Sequence, residues 1–334
     1  MPFSPESAFI ACRFAHFLAL MLLFGESAFI AFIAPRALQP SMQRDGRRLL
    51  VGAAILMSLS ALVMVPVQAA QMGDGWQDAP RLEAWQAVLQ TAFGKVWAWH
   101  LILSIGALML TIAVNGASRE AQTDNRRNRL MLLLALTSAV LLASLGLIGH
   151  AAMHAGWRGA LQRVNHAAHL LSAGAWFGAL APLLHCLRRF TSRPDDDSAG
   201  RSPLQHRRRS RHPDRRCSYA NETRDAVRAV RRFSTMGHVA VGLVILTGVV
   251  NTALVLQGWP IHLHRPYEVM LDIKIALVAV MTAIAVYNRY RWVPALKTQP
   301  DKALSALERN TYIEIALGCA VLLLVATFAT DDPQ

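Results

Sequence analysis

Eight long apolar stretches constrain this chain more than any other feature of its sequence. They lie at roughly 8–34, 49–72, 96–115, 130–152, 164–187, 236–257, 269–290 and 310–330. A helix needs about 20 apolar residues to cross a bilayer core, and every stretch reaches about that length. None of them alternates as a barrel strand does, and lipid offers no partner for an unpaired backbone group. The sequence therefore predicts an all-α, polytopic membrane protein, a bundle of eight transmembrane helices.

The composition supports membrane insertion and excludes several other classes. Hydrophobic residues make up 54% of the 334 residues and charged residues 16%, whereas a soluble domain carries about 25% charged residues. The four cysteines are scattered without a CxxC pair, which excludes a disulfide framework and a zinc-ribbon site. Motifs of serine hydrolases, P-loop proteins and zinc proteases are missing. We expect one transmembrane domain over 1–334 that is not an enzyme.

The distribution of positive charge predicts the orientation of the bundle. Of the 34 Lys and Arg residues, 27 lie in the connections that follow the first, third, fifth and seventh stretches. Such loops stay in the cytoplasm, so both termini are expected outside. Because topology explains most of the net charge of +13, we reject nucleic acid as a partner and expect a lipid bilayer instead. The connection 188–232 holds 14 Arg and is expected to be a largely disordered cytoplasmic loop between spans five and six.

Histidines gather at the predicted outer end of the bundle. His16 lies in the outer half of span one, His150 and His154 close span four, and His166 and His169 open span five. His150 and His154 are four residues apart, and His166 and His169 are three apart. Each pair therefore shares one helical face.

These residue types suit a copper ion. Neutral imidazole binds copper, zinc and haem iron, and a thioether such as that of Met153 favours Cu(I). His100 of span three lies toward the same end. Ionisable groups within spans are costly and mark functional sites, although a histidine near an interface can equally reach lipid head groups. The predicted copper ligands are His16, His150, Met153, His154, His166 and His169.

Glu26 lies nearer the middle of span one and is the second ionisable feature of that helix. One interpretation makes it a relay for a proton or an ion, because a carboxylate in a span is costly. The other pairs it with Arg13 or with a hydroxyl group. The sequence leaves both open.

Several segments carry a resemblance to a known family. The run NHAAHLLSAGAWFGALAPLL (165–184) resembles a signature of the CopD family, bacterial inner-membrane copper resistance proteins. The segments RFAHFLALMLLFGESAF (13–29) and RFSTMGHVAVGLVILTGVVNTAL (232–254) are similar to the same family, and the resemblance covers most of the chain except 188–228. It implies an eight-span copper transport protein of the bacterial inner membrane that works with a periplasmic CopC-type copper carrier.

The resemblance carries over to particular histidines. His16 matches the first-span RF-x-H pattern, His150 the histidine that closes span four, and His166 and His169 the N-H-x-x-H motif. His238 falls in the sixth-span pattern. The other candidate ligands rest on position alone.

The expected function is copper resistance or homeostasis. Copper would bind at the periplasmic side and cross the inner membrane, received from or passed to the CopC-type carrier. The sequence does not fix the direction of movement or the choice between Cu(I) and Cu(II). The first alternative is a b-type haem electron-transfer protein, with His150 and either His166 or His169 as axial ligands. The second is an assembly scaffold in which the histidines are structural.

Overall fold

Eight long helices form the protein, as the computed structural model shows for residues 4–117, 124–148, 156–191, 213–256 and 266–328. These ranges contain no strand. In chain order, spans one to eight are Pro5–Ile33, Arg47–Met72, Ala92–Gly116, Asn125–Leu147, Gly156–Arg188, Arg224–Leu254, Glu268–Ala295 and Pro300–Thr327. The predicted all-α bundle of eight transmembrane helices is confirmed.

Regular α-helix makes up most of each span, and three spans also contain a π-helical turn. These turns are Phe29–Ile33 in span one, Gly174–Gly178 in span five and Asn288–Trp292 in span seven. The long α-helices are Pro5–Ala28, Arg47–Met72, Ala92–Ala117, Asp124–Ser144, Gly156–Ala173, Leu180–Thr191, Pro213–Leu256, Pro266–Tyr287 and Pro300–Phe328. Each π turn is wider than an α turn, so it changes which side chains face the bundle on either side of it.

Two short helices lie in the connections, where the sequence predicts none. Gln39–Asp45 joins spans one and two, and Leu82–Gln90 joins spans two and three. The carboxylate of Asp78 organises the second connection. It accepts a hydrogen bond from the backbone N–H of Asp74 at 2.6 Å and another from Arg81 at 2.7 Å.

The arginine-rich connection lies only partly within the described residues. Residues 192–212 fall outside them. From Pro213 the chain is helical and continues without a break through span six to Leu256. The helix of span six thus begins inside the segment that the sequence assigns to a loop.

Span one lies at the centre of the bundle, where it packs against spans two, four, five and eight. Its Gly25 lies directly against Gly178 of span five. A Cβ atom at Gly25 would stand 2.0 Å from the carbonyl carbon of Gly178, and one at Gly178 would stand 2.0 Å from the carbonyl oxygen of Met21. Only glycine permits helix backbones to approach this closely. Spans one and five are the most buried helices, and span seven is the least buried.

Candidate metal centre

Two histidine side chains meet in the interior of spans one to four. The Nε2 atom of His16 in span one lies 2.9 Å from the Nε2 atom of His100 in span three. Both residues lie in the first half of their spans, and these two spans run in the same direction. His16 is 0% exposed and His100 is 1% exposed. The pair is therefore shielded from lipid and from water.

A serine hydroxyl group lies beside each ring. The hydroxyl of Ser60 in span two lies 2.7 Å from the carbonyl of Leu56 and 3.0 Å from Nδ1 of His16. The hydroxyl of Ser144 in span four lies 2.7 Å from a carbonyl of its own helix and 2.9 Å from Nδ1 of His100. A neutral imidazole carries one proton. When Nδ1 carries it on both rings, two Nε2 lone pairs face each other; when one Nε2 carries it, the 2.9 Å contact is a hydrogen bond.

Facing lone pairs repel unless a proton or a metal ion lies between them. Metal–imidazole bonds are about 2.0–2.1 Å long. Two such bonds across the observed 2.9 Å separation subtend an angle of about 90° at the metal. That angle is the one between neighbouring ligands of a tetragonal Cu(II) ion. Outward rotation of the rings would open it toward the wider angles of Cu(I). The pair thus offers two nitrogen ligands at a separation that one copper ion can span.

Trp97 packs over the histidine pair. Its ring stacks on His100 with centroids 4.8 Å apart and planes 12° apart, and it lies 5.2 Å from the ring of His16. The indole N–H donates to the carbonyl of Ala61 at 2.8 Å. This hydrogen bond fixes the indole, so Trp97 holds both imidazoles in place and helps to exclude water from them.

A second polar cluster joins spans five and six. His169 Nδ1 lies 2.9 Å from the hydroxyl of Thr247, which itself donates to the carbonyl of Leu243 at 2.5 Å. The hydroxyl therefore accepts from Nδ1–H of His169, and the Nε2 of His169 keeps a lone pair. Lys274 of span seven lies near enough for its charge to act on the rings of His166 and His169.

Two asparagines orient the other histidine of this cluster. Asn165 donates to Oδ1 of Asn251 at 2.8 Å and to the carbonyl of Thr247 at 2.9 Å. With its oxygen engaged, Asn251 directs its amide N–H at Nδ1 of His166, 3.4 Å away. The N-H-x-x-H motif of span five is therefore tied to span six by its asparagine and by both of its histidines.

Known proteins match the chain along most of its length. Residues 4–160 match the family described as "Copper resistance protein D-like, N-terminal domain", and residues 227–328 match the family "Copper resistance protein D". The inner membrane protein YebZ of Escherichia coli is 34% identical over 97% of this chain and 98% of its own length. The chain belongs to the copper resistance protein D (CopD) family.

Two more distant relatives of this CopD-family chain carry copper in their names. Copper resistance protein D of Pseudomonas syringae pv. tomato is 29% identical over 97% of this chain and 96% of its own length. The copper transport protein CutJ of Bacillus subtilis is 25% identical over 93% of this chain and 50% of its own length. No solved structure matches. With its eight spans and its YebZ relative, the CopD-family chain is a multi-pass protein of the inner membrane.

The structure divides the predicted ligand set of this CopD-family protein. His16 pairs with His100, which sequence reasoning noted only for its depth, while His166 and His169 belong to the second cluster. Within the described residues, no hydrogen bond or ring contact joins His16 to that cluster, and no three His, Cys, Asp or Glu residues converge as a metal site. The remaining predicted ligands lie outside the described residues: His150, Met153 and His154.

Glu26 lies toward the other end of span one and is 0% exposed. Neither carboxylate oxygen has a hydrogen-bond partner among the described residues. A Cβ atom on Gly46 would stand 2.0 Å from Oε1, so the carboxylate rests against the start of span two. The alternative that pairs Glu26 with Arg13 is wrong, because 13 residues of helix separate the two by about 20 Å. Arg13 lies instead over the ring of Phe17.

Proposed function

We propose that this CopD-family protein binds copper between His16 and His100 and moves it across the inner membrane. The observation that carries the proposal is the pair of Nε2 atoms of His16 and His100 that face each other at 2.9 Å in a fully buried site. A dry site with two fixed imidazole ligands retains a metal ion strongly, because no water is present to replace the imidazoles. Copper is the cargo of the protein, and the proposal assigns the chain no catalytic reaction.

The proposed orientation places the histidine pair toward the periplasm. The connections that follow spans one, three, five and seven carry 27 of the 34 positive residues, and such connections stay in the cytoplasm. The amino-terminal halves of spans one and three then face outward. A periplasmic CopC-type carrier would deliver copper to this end or collect it there, and the copper in the names of two relatives supports this role.

The proposal also assigns the remaining predicted residues to positions on the transport path of copper. His150, Met153 and His154 would capture copper at the periplasmic rim, and His166 and His169 would bind it beside the histidine pair. Glu26 would act as the relay for a proton or cation, since its buried carboxylate lacks a partner among the described residues. A carboxylate without a partner in a membrane span is expensive, and an exchangeable cation would remove that cost.

Haem does not fit between His16 and His100. Axial histidines bind iron from opposite faces of the macrocycle, so their Nε2 atoms stand two metal–nitrogen bonds apart, about 4 Å. The observed separation of 2.9 Å leaves no space for a porphyrin between these rings. The haem ligands that the sequence suggests, His150 with either His166 or His169, stay a prediction, because His150 lies outside the described residues.

Metal analysis of the detergent-purified protein tests the proposal. Wild-type protein loaded with Cu(I), and separately with Cu(II), should retain copper after desalting and show no Soret band. His16→Ala and His100→Ala should each lose that copper, whereas His238→Ala, at the opposite end of the bundle, should retain it. The assignment would be rejected if both histidine variants retained as much copper as the wild type, or if copper-free protein showed a Soret band.

A further inference from the structure

A cavity of about 90 Å³ lies in the other half of the bundle, between spans five, six, seven and eight. Its walls are mostly apolar and include the aromatic rings of Trp176 and Phe233 together with Val241. Five polar side chains interrupt these walls: Ser234, His238, Asn288, Thr311 and Glu314. An apolar cavity with a few convergent polar groups is the usual form of a small-molecule site.

The polar groups in this cavity offer acceptors. His238 donates Nδ1–H to the carbonyl of Ser234 at 2.8 Å, so its Nε2 carries a lone pair. Glu314, which is 3% exposed, accepts from Asn288 at Oε2 over 3.4 Å. The amide oxygen of Asn288 accepts from Asn310 at 2.7 Å, which fixes the amide. Among the described residues, Nε2 of His238 and Oε1 of Glu314 have no partner.

The cavity opens toward the lipid. In the part of the chain that the structure describes, the backbones of spans six and seven hardly approach each other. Val286 of span seven lines the cavity and is 43% exposed on the apolar surface. One end of the gap is closed by Arg289, which donates to the hydroxyl of Ser234 at 3.0 Å, and by the edge contact between His238 and Tyr290. An occupant would therefore enter sideways from the bilayer.

The lining decides between classes of lipid-soluble occupant. The phosphate of a phospholipid head group has no proton to donate, so it would leave Nε2 of His238 and Oε1 of Glu314 without a partner. An acyl chain would leave both acceptors unsatisfied, which costs free energy in an apolar site. A planar ring with hydroxyl donors satisfies the acceptors and packs on the aromatic walls. A metal ion would find only two ligands and mostly apolar walls.

We propose that this cavity binds the ring of a membrane-soluble hydroquinone, whose hydroxyl groups donate to Oε1 of Glu314 and to Nε2 of His238. Trp176 and Phe233 would hold the ring, and its apolar tail would leave between spans six and seven. This site does not depend on the copper pair, which lies in spans one and three.

Binding of a short-chain hydroquinone to the full-length protein in nanodiscs tests the proposal. The probe is a dimethoxy-methyl hydroquinone with one isoprene unit, titrated by calorimetry without oxygen and against empty nanodiscs. Wild-type protein should show saturable binding. Glu314→Leu and His238→Phe should each weaken it about tenfold or more, because each removes a hydrogen bond from a buried site. The dimethyl ether of the probe has no donor, so it should bind weakly to all three proteins.

Gly237 provides a test that leaves both acceptors in place. It lines the cavity, and a Cβ atom there would meet nothing within 4 Å. Gly237→Phe should fill the space and abolish binding, whereas Gly237→Ala should bind as the wild type does. Equal binding of the probe and its ether, or no binding to wild-type protein, would overturn the proposal. Copper lost from His238→Phe and Glu314→Leu would also overturn it, in favour of a metal site.

The two proposals can fail separately. His16→Ala protein should still bind the hydroquinone with wild-type affinity, and His238→Phe protein should still hold copper. A protein that loses both ligands in either variant would indicate misfolding, which size-exclusion chromatography and the thermal midpoint of the variant identify. If only His16→Ala lost hydroquinone binding, the location of the hydroquinone site in spans five to eight would be refuted.

Discussion

In the proposed copper site, Ser60 should support the affinity of the histidine pair without touching the metal. Its hydroxyl lies 3.0 Å from Nδ1 of His16, and accepting a proton from Nδ1 keeps the lone pair of that ring on Nε2. Ser60→Ala removes this acceptor, so the ring is free to change tautomer or rotate. Loss of such a supporting hydrogen bond lowers metal affinity about 10- to 100-fold, or about 1.4–2.7 kcal/mol.

The second serine permits a quantitative check. Ser144 supports only the ring of His100, at 2.9 Å, so the two serines act on different ligands. If their effects are independent, Ser60→Ala with Ser144→Ala should reduce affinity by the product of the single losses, about 10²- to 10⁴-fold. Competition between the purified protein and a chromogenic Cu(I) chelator measures the affinity of each variant.

Ser58 is the matched control. It lies two residues before Ser60 on the same helix and donates to the carbonyl of Ser104 at 3.3 Å, without reaching either histidine. Ser58→Ala should keep the wild-type affinity. Replacing either serine that supports the pair also leaves a buried N–H without a partner, which costs about 1–3 kcal/mol of folding stability. Thermal midpoints are therefore measured in parallel. Wild-type copper affinity in Ser60→Ala, or an equal loss in Ser58→Ala, would refute the tautomer argument.

Three further predictions concern other parts of the bundle. Gly25→Ala should lower the stability by more than about 3 kcal/mol, because its Cβ would stand 2.0 Å from the backbone of span five, whereas Gly52→Ala, with nothing within 4 Å, should change the thermal midpoint little. Glu26→Gln should reduce copper uptake into vesicles that depends on a pH gradient; unchanged dependence removes Glu26 from the mechanism. Thr247→Val should slow that uptake by releasing the ring of His169, while equilibrium binding of copper to the purified protein stays as in the wild type; a loss of binding would contradict the separation of the clusters.

The spans could be predicted because their signal is local. Length and hydropathy identify each helix by itself, and the resemblance placed the histidine motifs on them. The exact start of span five, at Gly156, was not predicted, because Trp157 and Arg158 begin the helix with polar and interfacial residues. The helix from Pro213 was missed for a related reason, since an arginine-rich composition indicates a solvated segment and does not exclude a helical one.

The histidine pair could be predicted only in part. Depth along the spans placed His16 and His100 at one end, but pairing depends on which helices are neighbours, and hydropathy carries no such information. Ser60 and Ser144 gave no signal, because a serine in a span is ordinary until its partner is known. Asn251 and Thr247 were missed for the same reason. The N-H-x-x-H motif was recognised, although its ties to span six were not visible in the sequence.

The central place of span one has a consequence for biogenesis. Helices leave the ribosome in chain order, so span one enters the membrane before every helix that covers it. His16 gains its neighbour Ser60 with span two and His100 with span three, whereas Gly25 meets Gly178 only after span five has emerged. The last surface of span one is covered by span eight. The histidine pair can therefore assemble early in synthesis, before the helices that cover the glycine face of span one have been made.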